Sequence, residues 1–265
     1  NSGDVYNVAV GSSAGQNLTS GIDNTMVGGL AGSSITTGDE NVAIGKSSLS
    51  TNTQSNRNVA VGDSALTTMN IASDTNAYNV AVGHGAGNDM TTGVQNTLIG
   101  GLAGDKLTDA DFNVALGVSA LGSDTLGSKN VAIGKSALGT QNFTSATNSF
   151  NTAVGHEAGL SLTTGEKNTL IGGTAGDAVT VGDDNVAIGV SALSANTQGN
   201  KNIAVGNNAL GTLNITSQAA SHNIAVGHDA GLSVTTGVQN VLIGGLAGDA
   251  ITDADFNIAI GQGAL

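Results

Sequence analysis

Three histidines are the first residues in this chain whose type and spacing could do chemistry. His84, His156 and His228 stand 72 residues apart in matching local sequence, where Ser12 stands in the first copy. If three chains met at one axis, each would give a ring of three imidazoles able to hold a transition metal. A metal site needs a full ligand set at fixed geometry. No neighbouring carboxylate or second histidine is expected to complete one, so these residues are read as surface corners; His222 lies outside the series. The acids come next. Asp105, Asp109 and Asp111 recur as Asp249, Asp253 and Asp255, with Asp177, Asp183 and Asp184 in the intervening copy. Oxygen-rich turns can hold Ca²⁺, but the glycine-rich nonapeptide of calcium-binding β-rolls does not occur here. Aspartate in turns and for solubility is the simpler reading, and no cofactor is expected.

Paired carboxylates also raise glycoside hydrolysis. Asp109 and Asp111 could be neighbours, yet no aromatic platform surrounds them, and a site repeated along a chain differs from the single shaped pocket that catalysis requires. The chain is therefore read as non-enzymatic. Thr pairs such as Thr36-Thr37, Thr91-Thr92, Thr163-Thr164 and Thr235-Thr236 suggest an ice-like array. Such an array needs Thr in successive coils, and Thr-Thr-Gly is read as concentrated in one coil type of four.

What positions these residues is a repeat. The pattern Asn-x-x-(Val/Ile/Leu)-Gly occurs fifteen times, with spacings of 17, 17, 17 and 21 residues that then recur. The first coils open with Asn7 and Gly11, Asn24 and Gly28, Asn41 and Gly45, Asn58 and Gly62. The super-repeat is 72 residues long, giving copies at 7–78, 79–150 and 151–222 and a partial copy at 223–265. Such regularity marks a solenoid. The expected fold is an all-β parallel β-solenoid, or β-roll, of about fifteen coils, one repetitive shaft over residues 1–265. Gly3-Asp4-Val5-Tyr6 reads as the tail of a repeat cut short, so the sequence is taken as an excerpt of a longer array.

Within each coil, Val8-Ala9-Val10 and its equivalents read as short strands bounded by Asn and Gly. Alternation places Ala9 on one face and Val8 and Val10 on the other. The glycine closing the pattern suits a corner with positive φ. Counting the Asn as position one, position eight is Ala in fourteen of fifteen coils, Ser48 being the exception. Position nine runs Gly, Gly, Leu, Leu through the super-repeat. Where it is Gly, position twelve is apolar (Met90, Leu107, Leu162, Val179); where it is Leu in the third coil, position twelve is Asn52, Asp124 or Asn196. One core slot is thus filled alternately from two backbone positions. The 21-residue coil is expected to protrude as a loop anchored by Ile71, Phe143 or Ile215, and the repeated Asn to stack as an amide ladder.

Composition agrees. Aromatics are 2% and charged residues 10% of 265 residues, and Pro, Cys and Trp are absent; charged residues make up roughly 25% of a typical soluble domain. Side chains this small fill only a thin core. The net charge of −13 excludes nucleic acid as a natural partner, because phosphate binding needs clustered Lys and Arg. No apolar run is long enough for a transmembrane helix. With Ala inside, the aliphatic strand face needs a partner, and an identical chain is the natural one. The expected seam includes Val8, Val10, Val80, Val82, Val131 and Ile133.

The stretch Asn185-Val-Ala-Ile-Gly-Val-Ser-Ala-Leu-Ser-Ala-Asn-Thr-Gln-Gly-Asn-Lys201 resembles the 17-residue repeats of phage tail-fibre and tail-spike proteins. Such proteins commonly carry an endosialidase-type intramolecular chaperone domain; these 265 residues hold the repeats. The strand motif is also similar to that of trimeric autotransporter adhesin heads. The resemblance implies a homotrimeric, extracellular or virion-borne fibre that presents a tip to a host receptor or glycan, with a cellular surface adhesin as the alternative. The regular 72-residue super-repeat and the 21-residue coil go beyond the simple family pattern.

Overall fold

The computed structural model describes residues 5–265; Gly3 and Asp4, read above as part of a cut repeat, lie outside them. The chain is all-β, with no helix among the described residues. It forms about fifteen turns of parallel β-solenoid in two compact units. The first runs to Lys129 and includes Phe143–Asn148; the second holds Asn130–Asn142 and Ser149–Leu265.

The fifteen strands of the main sheet are three residues long because Asn and Gly bound them. In the first unit Val8–Val10, Thr25–Val27, Val42–Ile44, Val59–Val61, Val80–Val82, Thr97–Ile99 and Val114–Leu116 pair in parallel, in chain order. The second unit continues the pattern with Val131–Ile133, Thr152–Val154, Thr169–Ile171, Val186–Ile188, Ile203–Val205, Ile224–Val226, Val241–Ile243 and Ile258–Ile260. Each coil position stacks on the same position of the next coil without slip: Val8 lies opposite Thr25, Ala9 opposite Met26, Val10 opposite Val27.

The corner glycine explains how closely the coils stack. Gly28 has φ +134, and a Cβ there would sit 2.6 Å from the carbonyl oxygen of Gly45 in the next coil. Three further positions in each coil are left-handed, for example Ser13, Gly15 and Asp23 at φ 57 to 59. At Ser48, the one departure from Ala at position eight, the hydroxyl is buried and donates to the Gly45 carbonyl at 2.9 Å.

The core slot draws on three positions rather than the two expected. The middle strand residue is Ala in three coils of each cycle but Met26, Leu98, Leu170 or Leu242 in the second coil, all fully buried. Leu98 occupies the space left by two glycines: a Cβ at Gly87 or at Gly104 would come within 2.8 Å of its methyls. The third coil has Leu at position nine and a buried polar residue at twelve, which caps a turn. Asn196 Oδ1 accepts from the Gly199 N–H at 3.1 Å, and its amide donates to the Gly199 carbonyl at 2.8 Å. The 72-residue period is therefore a packing cycle in which large and small residues exchange places.

Part of the 21-residue coil lies against the third coil, pairing in parallel with it: Thr147–Asn148 with Gly127–Ser128, and Asn76 and Ala220 with Asn56 and Asn200. Phe143 and Ile215 are buried there, as expected, but Ile71 is only half-buried. The copies differ at a residue of the third coil that bears on the anchor. Gly127 and Gly199 leave room for the anchor, a Cβ at Gly199 coming 2.8 Å from Ile215 Cβ. The first copy has Ser55 instead, itself fully buried and bonded to Asn52. Its side chain fills that space and holds Ile71 outside.

Candidate functional site

The strand alternation decides which surface each coil offers. In every strand after the first, the central residue is buried, while its neighbours stay half-buried or exposed. Position four is aliphatic in all fifteen strands. Val10 is 58% exposed, and Ile44, Ile99, Leu116, Ile171, Ile188 and Ile243 each keep more than a third of their surface in water. Of the named seam, Val8 and Val10 are exposed, and Val80, Val82, Val131 and Ile133 are half-buried. Exposed Leu30, Leu102 and Leu246 and exposed Val118 and Val190 widen the face beside this column.

One edge of the face is formed by the residue just before each ladder Asn, and it holds a feature the sequence reading passed over. Five of the chain's six aromatics, Tyr6, Tyr78, Phe112, Phe150 and Phe256, stand there, exposed and left-handed. Arg57 stands in the same column. Its guanidinium donates twice to Glu40 at 3.0 Å and once to the Tyr78 hydroxyl at 2.8 Å, with Cζ 5.6 Å from the ring centre. That hydrogen-bonded guanidinium holds Glu40 below the ordinary carboxylate range. A repeated αL position before Asn was readable from the alignment of coils; its aromatic content was the missed signal.

The opposite edge carries the histidines. His84, His156 and His228 are all exposed. The expectation that no carboxylate neighbours them fails at two of the three: His156 Nε2 is 3.6 Å from Glu157, and His228 Nδ1 is 2.9 Å from Asp229. Each pair joins sequence neighbours, and no three potential ligands gather anywhere among the described residues.

The acids are placed as structural acceptors. Asp111 accepts the Val94 N–H and Asp255 the Val238 N–H, each at 2.8 Å and each 17 residues away. Asp39 and Asp183 do the same for Ile22 and Glu166. An orphan backbone donor in the first coil is thus met by an Asp from the second. Asp109 accepts from the Thr92 hydroxyl at 2.6 Å, and Asp253 from that of Thr252 at 3.2 Å. Asp105 lies 3.8 Å from Lys106, which pairs with Asp89 at 2.8 Å. Burial raises the Asp105 carboxyl, with Lys106 opposing. Asp177 at the equivalent position is also raised by burial, and its Oδ1 has no hydrogen-bond partner. Asp249 occupies the same place in the last copy, half-exposed.

The Thr reading needs correction. Thr stands at position thirteen in three successive coils of four, as Thr91, Thr108 and Thr125 show. Each of these hydroxyls donates to a carbonyl on a later coil, at 3.2, 3.0 and 2.8 Å. The column is a structural ladder whose donors are already engaged.

The Asn ladder is present in both units. Asn168 Oδ1 accepts the Asn185 N–H at 3.0 Å and its side-chain amide at 3.2 Å. The Asn168 amide also reaches across its own coil to the Gly182 carbonyl at 2.8 Å. No protein-family model and no curated protein matches this chain.

Proposed function

We propose that this chain is the shaft of a homotrimeric fibre, of the kind that carries a receptor-binding tip away from a phage tail, with a structural and adhesive role and no catalysis. The observation that carries the reading is the aliphatic residue at position four of all fifteen strands, exposed in eight of them and half-buried in the other seven. A soluble chain seldom leaves a repeated apolar face uncovered, and a face with the period of the chain itself is matched by another copy. The charge of −13 keeps separate assemblies apart. The cationic clustering that nucleic acid would require is missing.

The 25.7 kDa chain is tested by native mass spectrometry or light scattering. The expected particle contains three chains, and a monomer at all concentrations overturns the assembly. Replacing Ile99, Ile171 and Ile188 with Lys should dissociate the particle while leaving its circular dichroism unchanged. Release of oligosaccharide from host polysaccharide by the purified protein would overturn the non-catalytic reading.

A further inference from the structure

We propose that Gly29, Gly101, Gly173 and Gly245 mark where a second copy of this chain comes closest, so that identical chains pack parallel and in register, one strand edge against the opposite edge of the next. The inference rests on the self-association proposed above and adds its register and contact points.

These four glycines have no reason within their own chain. The corner glycines need positive φ and face a carbonyl, and Gly104 at φ +56 has Leu98 against it. At the four in question φ lies outside the left-handed region. An added Cβ would meet nothing within 4 Å at Gly173, and only a carbonyl oxygen at 3.9 to 4.0 Å at the other three. The same coil position elsewhere carries Lys46, Asp63, His84 and Val118, so the backbone accepts a side chain there. A glycine loses more freedom on folding than any alternative. Yet the second coil has glycine here in every copy, and no other coil does. Each of these glycines follows position four by two residues, where Ile99, Ile171 and Ile243 are exposed and Val27 is half-buried. The glycines recur every 72 residues, and a neighbour seated at each must share that period; another copy of the chain does.

The two strand edges supply independent support. Glu40 precedes and Lys46 follows strand Val42–Ile44; Arg57 and Asp63 flank Val59–Val61; Phe112 and Val118 flank Val114–Leu116. The chain turns at both ends of each strand, at left-handed Glu40 and Arg57 and at Gly45 and Gly62, and no ion pair joins Glu40 to Lys46 or Arg57 to Asp63 among the described residues. Around a rotation axis the leading edge of one chain meets the trailing edge of the next. In register, Lys46 and Asp63 of one chain then stand beside the Glu40–Arg57 pair of the next and Phe112 beside Val118, while Asp184 meets apolar Val190. Opposite each unexplained glycine stands Asp23, Gln95, Lys167 or Gln239, a polar side chain to lie across it. Lys129 and Lys135 form the one like-charged pair of lysines in this arrangement, a local repulsion it must carry.

Two variants test this. Gly→Val at all four positions, a side chain that Val118 and Val190 already place there in the third coil, should leave circular dichroism unchanged. Assembly should weaken on the order of tenfold or more. Independently of that fold, a chain carrying both Gln95→Cys and Gly101→Cys should oxidise to covalent oligomers, while either single variant should not. Wild-type assembly that is indifferent to the valines, with no cross-link in the double variant beyond that of the singles, overturns this inference alone. A wild-type monomer overturns the assembly reading and this one with it.

Discussion

The buried asparagines are the residues on which each coil depends. Asn168 accepts from two donors of Asn185 and donates to Gly182. Asn168→Ala strands those groups, at one to three kcal/mol each by the usual cost of an unmet buried polar group, so about 3 kcal/mol or more is expected in chemical denaturation. Asn168→Asp should be worse at neutral pH, because a buried charge then faces the Gly182 carbonyl. Its folded-state carboxyl would be raised, so the loss should shrink as pH falls through the carboxyl range. The same sign applies to Asp177, whose carboxyl is raised by burial and whose Oδ1 is unmet. The folded state holds its proton more tightly than the unfolded state, so ionisation costs stability above the ordinary Asp range. Ser33 shows the alternative at that coil position, donating to the Ser50 carbonyl at 3.3 Å. Asp177→Ser should raise the melting temperature at pH 7 and lose that advantage in acid, the gain staying below about 1 kcal/mol because solvent screens a partly exposed group. Unchanged melting across pH would count against it.

At the scale of the element, one apolar side chain in one recess adds to the bridges that hold the 21-residue coil against the third. Gly199→Ser should reproduce the first copy, where Ser55 excludes Ile71, and expel Ile215. About 2 kcal/mol of burial should be lost, measured as a fall in thermal midpoint; a midpoint at the wild-type value would mean Ile215 is not the anchor. The coil period, the strand limits, the inward Ala and the outward Val were legible in the sequence because spacing and alternation record them directly. The three-way exchange between Leu98, Gly87 and Gly104 was not, since it joins residues on different coils whose contact depends on side-chain length. The Asp–backbone bonds were hidden for a similar reason. Asp111 looks like a ligand until the Val94 N–H, 17 residues away, is seen to lack any other acceptor beneath it. The aromatic column was visible in principle, and was obscured by so few aromatics scattered through 265 residues.

At the scale of the whole molecule, the proposed assembly joins aliphatic faces on chains that each carry −13. Like charges oppose the encounter, while contact between aliphatics is indifferent to salt. Raising ionic strength from about 0.01 M to 0.15 M shortens the screening length from about 30 Å to 8 Å, so association should tighten over that range. Sedimentation at several salt concentrations would reveal it. Loss of the particle with added salt would instead mean that the ion-paired edges, and not the aliphatic face, hold it.

The Asn ladder also has an electrical direction. In both units each side-chain oxygen points toward the following coil, where it accepts from the next Asn: Asn24 donates to Asn7, and Asn257 donates to Asn240. Within a unit these amide dipoles therefore add, as peptide dipoles add along a helix, whereas the strand hydrogen bonds run both ways and largely cancel. The column within each unit has a donor-rich pole and an acceptor-rich pole. A newly placed coil leaves a bare carbonyl oxygen waiting for the N–H of the coil after it, so the sequence order of synthesis is also the polarity in which the ladder can grow.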